Sequence, residues 1–282
     1  MNFGGRSLDL SRPQVMGILN ITPDSFADGG RFCSGDSVAV SAAAAQAELM
    51  VRQGASIIDI GGESTRPGAA PVSVQQEMDR VLPVLERLTG VLDAVISVDT
   101  STPELMREAA KLGAGLLNDV RALTRPGALQ AAADTGLPVC LMHMQGTPDT
   151  MQQAPEYDDV VADVRCFFGQ RIAACEGAGI SKQRLLLDPG FGFGKNINHN
   201  LTLLRHLAVL SDDGLPLLVG LSRKSMIDHL LGRKVSERLA ASIALAVLAV
   251  ERGAAIVRVH DVQETADAVA MSVALRADDP IK

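Results

Sequence analysis

Asp99, Asn118 and Asp188 each end a short apolar run, which gives two carboxylates and an amide the same relation to the chain. Acceptors of this kind gathered in one place suit a flat, donor-rich heterocycle, whose ring N–H and NH2 groups need oxygen atoms to face them. A second set is basic. Ser222-Arg223-Lys224-Ser225 follows another apolar run and opens a helix, and Arg258 and His260 end the next run. Free N–H groups at a helix start attract anions, and a guanidinium forks onto phosphate or carboxylate. Two glycine-containing loops add hydroxyls and flexible backbone: one that residues 20–26 open, beginning at Asn20, and one over residues 61–68, which carries Thr65, Arg66 and Pro67. The chain as a whole is acidic, with a net charge of −7. Basic groups concentrated in a few loops therefore point to a small anionic substrate, and the overall charge argues against nucleic acid or an anionic membrane as partner.

These residues need a frame that brings distant strand ends together. Eight apolar runs stop at a polar residue: 15–19 at Asn20, 56–60 around Asp59, 94–98 at Asp99, 116–117 at Asn118 and Asp119. The others are 139–142 at His143, 185–187 at Asp188, 217–221 at Ser222, and 256–259, with Arg258 inside, at His260. Stretches with helical periodicity lie between most of them, many closed by glycine, as at Gly54, Gly113, Gly136, Gly179, Gly214 and Gly253. Eight strand–helix units predict a single (β/α)8 TIM barrel, an α/β fold whose chemistry sits where the strands end. No linker or low-complexity tract divides the 282 residues, so one domain spanning 1–282 is expected. With no Trp and one Tyr, the core must be aliphatic.

Local signals place several boundaries. Thr102-Pro103 reads as an N-cap with proline at the first helical position, opening a helix over 104–112. Ser73 with Gln76 fits a capping box for a helix reaching Gly90. Residues 6–9 suggest a small hairpin that plugs the other end of the barrel. The helix read over 236–251 carries Leu239, Ile243, Leu245, Val247, Leu248 and Val250 around most of its circumference, more than one barrel face can cover, which predicts a homodimer. Residues 1–12 hold no apolar core, no run approaches a membrane span, and Cys33, Cys140, Cys166 and Cys175 show no CxxC spacing. A reduced, cytoplasmic protein without disulfides is expected.

Several motifs are excluded. Gly190-Phe-Gly192-Phe-Gly194-Lys195 looks like a phosphate loop, but Pro189 and Asn196 break the Walker pattern and Lys195 breaks the dinucleotide one. Lys224 stands where a nucleophile elbow needs glycine. The five histidines have no zinc-site spacing. Each candidate also has a plain structural reading. Asp99 with Thr100 can cap a helix, Thr65 and Asp24 can be turn residues, and Phe26 can simply pack. Asp59, set inside its strand, reads as a satisfied structural carboxylate, His143 as a hydrogen-bonded strand end, and Glu63 as a brace for its own loop. His199, His206 and His229 read as ordinary helical or surface residues. Joint occurrence at strand ends is what favours function.

Taken together these segments closely resemble the dihydropteroate synthase family. The match is carried by Met16-Gly17-Ile18-Leu19-Asn20-Ile21-Thr22-Pro23-Asp24-Ser25-Phe26, by residues 61–68, by Ser97-Val98-Asp99-Thr100 and by Asn118-Asp119. It continues through Leu141-Met142-His143-Met144-Gln145-Gly146, residues 188–195, Ser222-Arg223-Lys224-Ser225 and Arg258-Val259-His260-Asp261, in the same order over nearly the whole chain. The resemblance implies displacement of pyrophosphate from a 7,8-dihydropterin-6-ylmethyl diphosphate by p-aminobenzoate. It places Asn20 at a Mg2+ bound to pyrophosphate, and Asp99, Asn118, Asp188 and Lys224 around the pterin, with Met142 packing on the ring. Thr65, Arg66, Pro67, Phe193 and Ser222 would shape the p-aminobenzoate site. Arg258 and His260 would hold pyrophosphate, so that Asp99, Lys224, Arg258 and His260 form the catalytic set. Dimerisation through the late helices is implied as well. A corrinoid-linked methyltetrahydrofolate methyltransferase domain would share the barrel and the pterin site but has no need of a diphosphate pocket. A Schiff-base aldolase using Lys224 fits less well, since that lysine opens a helix and is not in mid-strand.

Overall fold

A computed structural model describes residues 1–22, 33–34, 37–38, 40–64, 71–146, 151, 155–211 and 214–276. In chain order the first elements are β1 (Asn2–Phe3), β2 (Arg6–Ser7), β3 (Gln14–Asn20), β4 (Cys33–Ser34), β5 (Ser37–Val38), α1 (Val40–Arg52) and β6 (Ile57–Gly61). Strand and helix then alternate: α2 (Val74–Leu88), β7 (Val95–Asp99), α3 (Pro103–Lys111), β8 (Leu116–Asp119), α4 (Ala128–Thr135), β9 (Val139–Met142) and α5 (Val160–Gly177). The last are β10 (Leu185–Asp188), α6 (Ile197–Arg205), β11 (Leu217–Val219), α7 (Ser225–Leu231), α8 (Leu239–Glu251), β12 (Ala254–Val259) and α9 (Val262–Arg276). Strands β3, β6, β7, β8, β9, β10, β11 and β12 pair in parallel and close into the expected barrel.

Strand side chains alternate between faces, so each barrel strand sends every second residue inward. Met16, Ile57, Val95, Leu116, Cys140, Leu186, Leu218 and Ile256, one from each strand, form a buried apolar layer. Phe3 joins this layer from below and is itself 2% exposed. The hairpin therefore does plug the barrel, but it starts earlier than residues 6–9: Asn2 faces Ser7 and Phe3 faces Arg6. The intervening strand residues, such as Val15, Ile58, Val98 and Leu187, pack outward against the helices in a second, larger aliphatic cluster.

Two residues beyond the apolar layer the inward positions are Ile18, Asp59, Ser97, Asn118, Met142, Asp188, Gly220 and Arg258. The interior thus turns from apolar to polar in one step. The register carries this to the mouth, where Asn20 lies beside Gly61, Gly61 beside Asp99, and Asp99 beside Asn118.

The helix ends show where local signals held and where contacts between elements prevailed. Ser73 and Gln76 form the capping box of α2, which stops at Leu88, short of Gly90. Pro103 does open α3, but Thr102 makes no side-chain cap. Its hydroxyl, like that of Thr100, goes instead to the buried carboxylate of Glu77. Residues 235–237 form a separate 3-10 turn, so α8 begins at Leu239 and not at residue 236. The buried face of α8 is made of Ser242, Ala246, Ala249 and Val250, while Leu239 and Leu248 are exposed.

Candidate active site

The polar layer is tied together by one guanidinium. Arg258, inward on β12, donates from Nε to Asp59 Oδ2 at 2.6 Å and from Nη2 to Asp99 Oδ2 at 3.0 Å. Asp59 also accepts from Ser97 Oγ at 2.6 Å and from Asn118 Nδ2 at 3.1 Å. A continuous set of charge-assisted bonds therefore spans β12, β6, β7 and β8. Asp59 is the satisfied carboxylate expected from its position inside a strand, but its partners make it the strut of the site. Asp99 turns into the barrel and takes part in this set; it does not cap α3. Burial pushes its carboxyl up to about 8 against the pull of Arg258, with Asp59 adding to the rise.

Opposite, β9 and β10 supply Met142 and Asp188. Burial raises the Asp188 carboxyl, and the Gly190 N–H, 2.7 Å from Oδ1, opposes that rise. The backbone needs glycine here: a Cβ on Gly190, at φ +66°, would sit 1.9 Å from the His143 carbonyl. The lysine of the rejected phosphate loop closes the turn. Lys195 Nζ, buried, donates to the carbonyls of Gly190 and Phe193 at 3.0 and 2.9 Å and lies 2.9 Å from His143 Nδ1. Burial brings this ammonium down to about 7. His143 is the hydrogen-bonded strand end that was expected, and burial, aided by Lys195, lowers it to about 3. The turn fixed in this way holds the Phe193 ring under Lys224, whose Nζ lies 4.2 Å from the ring centroid. Burial lowers Lys224 to about 8, opposed by Asp188.

The third side is basic. Arg223, at φ +56°, forks onto Asp261 at 2.6 and 3.1 Å, and its backbone N–H donates to Ser242 Oγ at 2.9 Å. These bonds pin the β11–α7 turn to α8 and to the start of α9. Ser222 and His260 face each other across the turn, with Ser222 Oγ 3.0 Å from His260 Nδ1.

Between the three sides lies a cavity of about 720 Å3, the size of a small-molecule site. Asn20, Asp99, Asn118, Met142, Asp188, Phe193, Ser222, Lys224, Arg258 and His260 all line it. Thr65, Arg66 and Pro67 lie outside the described residues, as do Asp24 and Phe26. Glu63 braces the root of its loop, as expected, through a two-pronged pair with Arg121 at 2.9 and 3.0 Å. Nothing in the sequence marks Arg121, because no spacing shows which distant carboxylate an arginine will meet.

A profile described as "Pterin binding enzyme" matches residues 16–260. Dihydropteroate synthase of Escherichia coli (strain K12) is 60% identical over 265 residues, covering 94% of this chain and 92% of that one. The chain belongs to the dihydropteroate synthase family. The Yersinia pestis member, solved with a sulfonamide drug, is similar at 55% identity and a TM-score of 0.94, with 98% of each chain covered. The Xanthomonas albilineans member has been solved with 4-aminobenzoic acid, at 52% identity, TM-score 0.90 and coverage of 98% and 97%. It has also been solved with 7,8-dihydropteroate, at 48% identity, TM-score 0.88 and coverage of 99% and 100%. The barrel described above is thus shared with these solved members of the family.

Proposed function

We propose that this chain makes 7,8-dihydropteroate, condensing (7,8-dihydropterin-6-yl)methyl diphosphate with p-aminobenzoate and releasing pyrophosphate. The observation that carries this reading is a single cavity lined by the acceptors Asp99, Asn118 and Asp188 and also by Lys224, Arg258 and His260. The acceptors suit the N–H and NH2 groups of a pterin, and Arg258 with His260 suits a diphosphate.

The C–O bond from the methylene to the diphosphate breaks, and a C–N bond to the arylamine forms, with loss of an amine proton. An arylamine is a weak nucleophile, so the leaving group departs first and the pterin carries the positive charge. Asn118, Asp188 and Lys224 hold the pterin, and Met142 packs on its ring. Asp99 opposes the charge that develops on it. Arg258, held from two sides by Asp59 and Asp99, is preorganised toward the diphosphate, and His260 joins it there. Phe193 bounds the p-aminobenzoate end with Thr65, Arg66 and Pro67; Ser222 borders it, with its hydroxyl turned to His260.

No group of three or more His, Cys, Asp or Glu side chains among the described residues could hold a metal ion. The donor set that fits Mg2+ is one hard amide oxygen, from Asn20 at the mouth, with diphosphate oxygens and water completing the shell. When bound, the ion neutralises charge on the leaving group.

The chain works as one barrel domain in the cytoplasm, where its free thiols would stay reduced. No helix among the described residues is long and apolar enough to cross a membrane. It acts as a homodimer, since Leu230, Leu231, Leu239, Leu248, Met271 and Leu275 are exposed along α7, α8 and α9. Light scattering at micromolar concentration should give twice 29.6 kDa; the monomer mass would exclude this.

The function is tested by mixing the protein with the pterin diphosphate, p-aminobenzoate and Mg2+. Equimolar pyrophosphate and dihydropteroate are expected. Absence of pyrophosphate release, with methyltetrahydrofolate bound instead, would point to methyl transfer.

A further inference from the structure

In the basic side of the cavity the Ser222 hydroxyl touches a titratable ring. Its Oγ accepts the backbone N–H of His260 at 3.2 Å and lies 3.0 Å from Nδ1 of the same residue. The residue is 7% exposed. No other residue among those described bonds this hydroxyl, so all of its partners belong to His260.

A hydroxyl has one hydrogen to donate, and a neutral imidazole has one nitrogen that accepts and one that donates. If Nδ1 carried a proton, it and the backbone N–H would both donate to Oγ, and the Ser222 hydrogen would have no protein acceptor among the described residues. If Nδ1 is bare, the hydroxyl is fully used: the backbone donates to Oγ, Oγ donates to Nδ1, and the ring proton sits on Nε2. The partner of one ring nitrogen thus fixes the state of the other. Burial, together with Arg223 and Arg258, disfavours a protonated ring and lowers His260 to about 3. Nε2 has no partner among the described residues, and the ring lines the cavity.

We propose that Ser222 is a positioning residue that holds His260 as the neutral Nε2–H tautomer, so that the ring presents a ready-made hydrogen-bond donor to the diphosphate. Its tie to the diphosphate rests on the function proposed above; the tautomer itself does not. Ser222 thereby serves the leaving-group side of the cavity and not the p-aminobenzoate carboxylate.

Two-bond 1H–15N correlation spectra of the 15N-labelled protein without substrates, with the His260 ring assigned by its loss in His260→Gln, read the tautomer directly. Between about pH 6 and 8 Nδ1 should resonate as a bare nitrogen and Nε2 as a protonated one. A protonated Nδ1, in either the neutral or the cationic ring, overturns the proposal even if the enzyme makes dihydropteroate. A bare Nδ1 in a protein that makes none would leave the tautomer standing and remove the function. In Ser222→Ala the Mg2+–pyrophosphate Kd should rise about tenfold and kcat should fall, while the KM for p-aminobenzoate stays within about twofold. Ser222→Thr should restore both. A rise confined to the KM for p-aminobenzoate would return Ser222 to that substrate.

Discussion

Ile57 and Asp59 stand two residues apart on β6, both 0% exposed, and belong to layers with opposite duties. The lower layer holds one apolar side chain from each barrel strand and is sealed by Phe3. The next layer up holds two carboxylates, an amide and a guanidinium on the same strands. Burying an ion costs several kcal/mol, and this layer offsets that cost through its pairs, as where Arg258 meets Asp59 within the layer and Asp99 just above it. The comparison teaches that strand alternation lets stability and chemistry be written on the same strands without sharing a residue.

The largest effect should come from the polar end of the barrel. Asp99→Asn keeps the shape but removes the charge opposed to the pterin cation, and should cut turnover by several hundredfold, ~3–4 kcal/mol, with the melting temperature little changed. Near-normal turnover would make Asp99 a structural partner of Arg258. The mirror experiment is Phe3→Ala in the lower layer. It should cost about 3 kcal/mol of stability, seen as a lower urea midpoint, while kcat measured where the protein is fully folded stays within about twofold. A large fall in kcat there would show that the two layers are not independent.

The mildest probe is pH. In the free enzyme the Asp99 carboxyl is raised to about 8, so it gains its charge, and with it activity, as pH rises toward that value. Lys224 is lowered to about 8 and loses its charge above it. The kcat/KM profile should therefore be a bell with its maximum near pH 8, changing up to about tenfold per pH unit on each side. Asp99→Asn should lose the acid limb and Lys224→Met the alkaline one. A flat profile would mean that neither charge matters to the reaction.

Much of this was legible in the sequence because it is periodic or terminal. Eight apolar runs gave the barrel, and most of the polar residues ending those runs line the cavity. What stayed hidden depends on contacts across the molecule. Ser222 and His260 are one motif apart in the chain's order, but only the closure of β11 against β12 turns the hydroxyl onto the ring. Thr102 has the type and place of an N-cap, yet the buried Glu77 competes for its hydroxyl and wins. Lys195 lost its apparent role when the phosphate-loop pattern failed, and its real one, joining the Gly190 turn to His143, needs β9 and β10 side by side. The hairpin was anticipated at residues 6–9, because Phe3 gives no sign in sequence that its ring will close a barrel.

A crystal structure of the protein grown with 7,8-dihydropteroate tests the central claim most directly. The account predicts the pterin ring inside the barrel mouth, within about 2.7–3.2 Å of Asn118 and Asp188, over Met142, with the p-aminobenzoyl group running outward past Phe193. A pterin bound at the rim, with no hydrogen bond to either residue of the upper layer, would contradict it.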